Sequence, residues 1–282
     1  GAVWSGNDDA PLKHGTTNNG IVATSAMIYN FGELLVTDGT VLQNNENTTA
    51  SGKIATKDET TGEYTYPTVE DKVQFGGAVL NGGEMKITGG LIQNNSVAWR
   101  GAGVASYGII EMTGGTVQGN FTKNKKKWGD GGAFYLHGAK NTSKEGSAYC
   151  TISGGQLTAN KADGGSAGGA VCADGQSILN VSGGSFVGNV ATTTGGGINV
   201  YSSILNMSGG TISGNSAAQG GGLNLIMGSK ATITGGNITS NKAESGGGVQ
   251  VADRAELDAS NLVIEKNEAT SSGGGILAPG AE

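Results

Sequence analysis

The sequence predicts an all-β chain: a single-stranded, right-handed parallel β-helix, or solenoid, of about eight to nine coils with three short strands each. Three observations carry the prediction. Glycine supplies 54 of the 282 residues, against about 7% in average proteins. A glycine-rich motif recurs along most of the chain, and the residues between its copies alternate apolar with polar. Only three prolines accompany the glycines, which excludes collagen and proline-rich linkers. Charged residues make up 14% of the chain and the net charge is −6, unlike a disordered polyelectrolyte or a partner for a phosphate backbone. No apolar run approaches the roughly 20 residues that cross a bilayer, so neither nucleic acid nor direct membrane insertion is expected.

The repeat begins at Gly76-Gly77-Ala78-Val79 and returns at Gly101, Gly131, Gly168, Gly195, Gly220, Gly246 and Gly273, at spacings of 25, 30, 37, 27, 25, 26 and 27 residues. A second motif, Gly-Gly followed by an apolar residue and then Asn, sits midway, as in Gly89 to Asn95 and Gly209 to Asn215. Between the motifs each unit offers three strands; in the unit 195–219 they are 198–200, 204–207 and 211–214. Ile198 and Val200 flank Asn199, and Leu205 and Met207 flank Asn206. Such period-two alternation sends one set of side chains inward and the other outward. The glycines mark sharp turns, and a parallel crossover is expected to be right-handed. Phe134, Leu136, Ile178, Leu179, Val181, Phe186, Ile198, Val200, Leu205, Met207, Ile212, Leu223, Leu225 and Ile233 are the expected core.

One Asn recurs in every coil: Asn44, Asn95, Asn120, Asn160, Asn189, Asn215, Asn241 and Asn267. Stacked at about 4.8 Å, such amides form a structural ladder, not eight ligand sites. The outward columns Asn199, Asn224, Gln250 and Asn180, Asn206, Thr232 read as uncharged surface. Residues 1–17 form an N-terminal segment and residues 18–282 the β-helix. Its weak first coil holds Ile21-Val22-Ala23, and an excursion over 49–75 has Tyr64-Thr65-Tyr66 as a strand or hairpin. The sequence stops partway into another coil, so a longer protein is expected.

These motifs resemble repeats of bacterial surface β-helix proteins. Phe186-Val187-Gly188-Asn189 matches the Phe-x-x-Asn of chlamydial polymorphic outer-membrane proteins. The repeats are also similar to those of pectate-lyase-like surface proteins of gut bacteria. The resemblance implies a right-handed β-helix, export to the cell surface or medium, and adhesion. It designates no binding residue.

Cys150 falls in an inward slot and Cys172 in an outward one, a geometry unsuited to a disulfide, so both are expected as free thiols. Polygalacturonase-like motifs and acidic clusters for Ca²⁺ are absent, and no metal or cofactor is expected. One constellation qualifies for chemistry. Tyr135 and His137 share a coil, and Cys172 and Asp174 occupy the matching slots on the next. A Cys, His and Asp within reach make a nucleophile or a metal site. The competing reading is a decorated strand face with His137 and Asp174 in solvated turns.

The expected function is that of a non-catalytic, surface-exposed bacterial adhesin or stalk module, monomeric, engaging a host glycan or surface protein. The alternatives are a carbohydrate-active enzyme, lyase or hydrolase, on the same fold, and a purely structural spacer. Insertions in solenoids gather where function does. Loops of adjacent coils carry Trp99 and Arg100, and Lys123, Lys125, Lys126, Lys127 and Trp128; the excursion carries Tyr64 and Tyr66. Aromatic faces beside cations suit sugar rings or acidic glycans. The competing reading has Trp99 and Trp128 folded down on the coil.

Overall fold

The computed structural model describes residues 3–5, 28–30, 32–47, 56–57, 64–65, 75–123, 129–138 and 148–279. Among them there is no helix. The chain is a parallel β-solenoid whose turns build three long sheets of nine, eight and nine strands, in line with the expected coil number. In one turn, Ile198–Tyr201 belongs to the first sheet, Ile204–Met207 to the second and Thr211–Ser213 to the third. Each strand pairs in parallel with its equivalents one turn away: Leu205 lies between Leu179 and Ala231, and Asn206 between Asn180 and Thr232.

The alternation read from the sequence becomes the core. Ile198, Val200, Leu205 and Ile212 are fully buried, as are their counterparts on neighbouring turns. Ile178 departs from the expected core list. It pairs with Ile204 in the outward first position of its strand and is half-buried. The apolar pair Ile178-Leu179 breaks the alternation, and register gives the inward place to Leu179.

A fourth, narrow sheet follows the ladder Asn in each turn, with strands such as Ser96–Val97, Phe121–Thr122 and Val190–Ala191. These are two-residue strands, too short to show a period in sequence. Val3–Ser5, from the N-terminal segment, lies parallel to Val41–Gln43 at the edge of the third sheet. The excursion contains an antiparallel pair, Thr56–Lys57 with Tyr64–Thr65. Ile21-Val22-Ala23 and Tyr66 lie outside the described residues, and the first-sheet strand of the opening turn is Ile28–Asn30.

The asparagine ladder runs the length of the molecule. From Asn95 to Asn267, each amide oxygen accepts from both the backbone N–H and the Nδ2 of the preceding ladder residue, and each Nδ2 also donates to a backbone carbonyl of the preceding turn. Asn215 takes the Asn189 N–H at 2.8 Å and its Nδ2 at 3.0 Å, and gives to Asn241 Oδ1 and Phe186 O, both at 2.9 Å. In the first turn the ladder residue is Asn45, not Asn44: Asn45 Nδ2 donates to Asn95 Oδ1 at 2.7 Å. Gln43 pairs with Gln93, which puts Asn44 opposite Asn94. Both occupy the left-handed position that bends the chain before the ladder, with φ of 57° and 54°. Val36 pairs with Ile87 and Val41 with Leu91, so this bend holds one residue more than the next, and a count from Asp38-Gly39 falls one short of the ladder.

A covering arm accounts for the glycine-rich starts. On leaving the fourth sheet, the chain passes over the outer face of the first sheet before turning under to form its next strand. One column of this arm is Phe75, Arg100, Asp130, Ala167, Thr194, Gln219 and Ser245, joined turn to turn by backbone contacts. Gly195 follows it with φ of 63°, and a Cβ there would sit 2.7 Å from Asn199 Cβ. A Cβ on Gly196 would collide with the Ser216 carbonyl in the fourth sheet. Glycine is therefore needed where the arm doubles back against two sheets. This corrects the expected surface: Asn199, Asn224 and Gln250 point away from the core yet are buried. Asn224 donates to Asn199 at 2.8 Å, and Gln250 reaches Gln219 of the arm at 3.3 Å.

Candidate functional site

Under the arm, the outer column of the first sheet begins Tyr29, Leu80, Ala105, Tyr135, Cys172. Ala105 is small, so the Tyr135 ring lies over it and stacks on Phe75, with ring centres 6.0 Å apart and planes 12° from parallel. Trp99 packs on Phe75 at 6.0 Å with its ring tilted, and Tyr107 meets it edge-on at 5.8 Å. A second, outer hydrophobic cluster results, separate from the solenoid core.

Arg100 is its polar centre. Its guanidinium lies 4.8 Å over the Tyr135 ring and donates to the Tyr135 hydroxyl at 2.7 Å. Its Nε is 3.1 Å from Asp130 Oδ2, and Nη1 is 4.0 Å from Asp174 Oδ2. Tyr135 in turn donates to Asp174 at 2.9 Å and stands 3.1 Å from His137 Nδ1. With the phenol proton given to Asp174, the hydroxyl oxygen accepts from Arg100 and from His137, which assigns the imidazole proton to Nδ1. His137 is the most open member of the network at 36% side-chain exposure, against 17% for Arg100 and 11% for Asp130.

The electrostatics follow from burial and pairing. Burial works to lower the Arg100 pKa, but the surrounding Tyr135, Asp130, Cys172 and Asp174 raise it on balance. Burial pushes Asp130 above the ordinary carboxylate range despite Arg100. Burial acts in the same direction on Asp174, but hydrogen bonds with His137 and Tyr135, followed by the charges of His137 and Arg100, outweigh it and hold that carboxyl low. Burial drives the Tyr135 phenol and the Cys172 thiol well upward.

Structure thus brings together two sets that the sequence kept apart. Trp99 and Arg100 join Tyr135, His137, Cys172 and Asp174 in one cluster. Cys172, 3% exposed, contacts Asn199 Nδ2 at 3.7 Å. It is a buried, protonated thiol and a poor nucleophile. Cys150 lies in the core, and the two cysteines are unpaired. Lys123 pairs with Glu46. Lys125, Lys126, Lys127 and Trp128 lie outside the described residues, and Tyr64 sits in the short antiparallel strand. Sequence reasoning missed Phe75, Tyr107 and Asp130. A signal existed for two of them: Phe75, Arg100 and Asp130 each immediately precede a glycine-rich start, where later units carry Ala, Thr, Gln or Ser.

A second feature lies at the bend between the second and third sheets. The outward column Thr151, Asn180, Asn206, Thr232 runs beside exposed hydroxyls of Ser153, Ser182, Ser208 and Thr234. From Asn180 to Thr234 they line a shallow groove of about 210 Å³, together with Val181 and Met207, along which Asn206 donates to Asn180 at 2.8 Å. The groups repeat at the strand spacing of about 4.8 Å and bear no charge. Among the described residues, no three His, Cys, Asp or Glu side chains are grouped to hold a metal.

Comparison of the chain with protein-family models, with curated proteins and with solved structures finds no match.

Proposed function

We propose that this chain is a non-catalytic binding module, an adhesin or stalk segment exposed on a bacterial surface, which engages an extended host glycan or a surface protein. The observation that carries the reading is the groove of amides and hydroxyls at the second bend. A rigid, uncharged, regularly spaced array offers paired donors and acceptors to sugar hydroxyls without desolvating a charge. The aromatic cluster supports the same reading from the other side of the molecule. Trp99 and Tyr107 are partly exposed, Tyr107 lying edge-on to His137, and such rings suit the apolar faces of sugars.

The second reading is a carbohydrate-active enzyme, favoured by the network of His137, Tyr135, Asp174 and Arg100. An imidazole held by its Nδ1 proton is the geometry of a general base at Nε2. Two features weigh against it. The phenol is fully buried with its pKa raised, and two carboxylates already engage the Arg100 charge.

A glycan array and a host-protein panel test the binding reading, together with Ser182→Tyr plus Ser208→Tyr, which fill the groove from exposed positions. Binding by the native chain that disappears in the folded double variant is the expected result. Turnover of acidic or neutral polysaccharides by the pure protein, abolished by His137→Ala, would establish the enzyme reading instead. A native chain that binds nothing on either panel would leave the spacer role.

A further inference from the structure

The outer face of the second sheet carries a stripe that its alternation does not explain. In the first position of successive strands stand Glu84, Ile109, Tyr149, Ile178, Ile204 and Lys230. Ile109, Tyr149 and Ile204 are 43%, 41% and 40% exposed, and Ile178 is half-buried. Single exposed apolar residues are ordinary, but four in register on consecutive turns make a continuous patch. An acid bounds it at one end and a base at the other.

We infer that this stripe binds a second copy of the same chain, packed antiparallel about a two-fold axis lying in the contact plane along the strand direction. Such an axis reverses the order of the turns and keeps each column facing itself. Centred between Tyr149 and Ile178, it sets Tyr149 on Ile178, Ile109 on Ile204 and Glu84 on Lys230, each pairing occurring twice. A shift of one turn sets Glu84 on Ile204 or Lys230 on Ile109. A parallel arrangement sets Glu84 on Glu84 and Lys230 on Lys230. Charge and apolar character therefore select one register, in place of the monomer expected from sequence. Beyond the stripe, Glu33 meets Glu256, but Glu256 already pairs with its own Lys230 at 3.0 Å at the exposed rim. The two-fold keeps both grooves of amides and hydroxyls on the same margin of the contact. Six strands at about 4.8 Å span about 24 Å, a small interface, so the dimer is weak and rapidly exchanging.

Sedimentation velocity from about 1 to 300 μM covers the range such an interface requires. The native chain is expected to shift from monomer to dimer as concentration rises. Ile178→Glu places a charge at the centre of the patch, at a position open enough to keep the fold, and is expected to remain monomeric with an unchanged melting curve. Glu84→Lys alone should weaken association by at least about tenfold, and Glu84→Lys with Lys230→Glu should restore it. A native chain that stays monomeric throughout, or a dimer indifferent to Ile178→Glu, overturns the proposal. Failure of the paired charge reversal to restore association overturns the antiparallel register.

Discussion

Asn215→Ala puts the ladder to a quantitative test. The side chain is fully buried and makes four hydrogen bonds of 2.8–3.0 Å. Its neighbours lose unequal amounts. Asn189 Nδ2 keeps the Leu157 carbonyl, and Asn241 Oδ1 keeps the Asn215 backbone N–H. The Asn189 backbone N–H, by contrast, loses the side-chain acceptor it has in the native chain, whereas the Phe186 carbonyl loses the Asn215 donor but stays within a paired strand of the third sheet. A buried group stripped of its partner costs about 1–3 kcal/mol. One such group gives an expected loss of about 1–3 kcal/mol. That is a large share of the roughly 5–15 kcal/mol that separates folded from unfolded chains. Asn267→Ala is the comparator: that residue is half-buried and makes three such bonds, accepting from the Asn241 N–H and Nδ2 at 2.9 and 3.0 Å and donating to Ile238 O at 2.8 Å. Its loss should be smaller, because water reaches the half-buried site and can replace part of what is removed. Urea unfolding followed by circular dichroism measures both. A change of less than about 0.5 kcal/mol for Asn215→Ala, the range of an ordinary surface substitution, would refute the reasoning. So would equal losses at the two positions.

Four further outcomes follow from the same geometry. Leu205→Ala, at a fully buried core position, should cost about 2–5 kcal/mol in the same assay. An unchanged curve would mean that the inward register is wrong by one residue. Gly195→Ala should cost more than about 2 kcal/mol, because φ is 63° and the new Cβ meets Ile198 O at 2.5 Å. A neutral result would show that the arm does not lie against the first sheet. Asp174 has its pKa held low in the folded chain, so its stabilisation is complete above the unfolded value of about 3.9 and is lost as pH falls through the folded value. Asp130, shifted the other way, opposes it, so the comparison is with Asp174→Asn. Between pH 6 and about pH 2.5, the native Tm should fall further than the variant's; parallel curves would contradict the assignment. Finally, neither Cys150 nor Cys172 should react with a thiol reagent until the chain unfolds, since burial raises both pKa values. Labelling of the native chain at Cys172 would mean that the arm opens.

The repeat, the stacking direction and the inward faces are local properties, and they were legible in the linear text. Ile198 and Val200 flanking Asn199, or Leu205 and Met207 flanking Asn206, state which side chains are buried, because a strand has period two whatever lies beyond it. Recurrence of the same Asn in each unit likewise specified a ladder, since identical amides at one strand spacing satisfy each other. What lies over an outward face is a tertiary matter. Asn199 and Asn206 have the same alternation, yet one is 2% exposed beneath the arm and the other lines an open groove. Only the path of the chain after the fourth sheet distinguishes them. The same path carries Arg100 onto Tyr135, 35 residues further along, and so creates a charge network that neither segment contains by itself. Register was the third decision left to the structure. Where Asp38-Gly39 stands for Gly-Gly, the motif count reaches Asn44, but the hydrogen bonds select Asn45, because a ladder is defined by the neighbour it bonds and not by its distance from a turn.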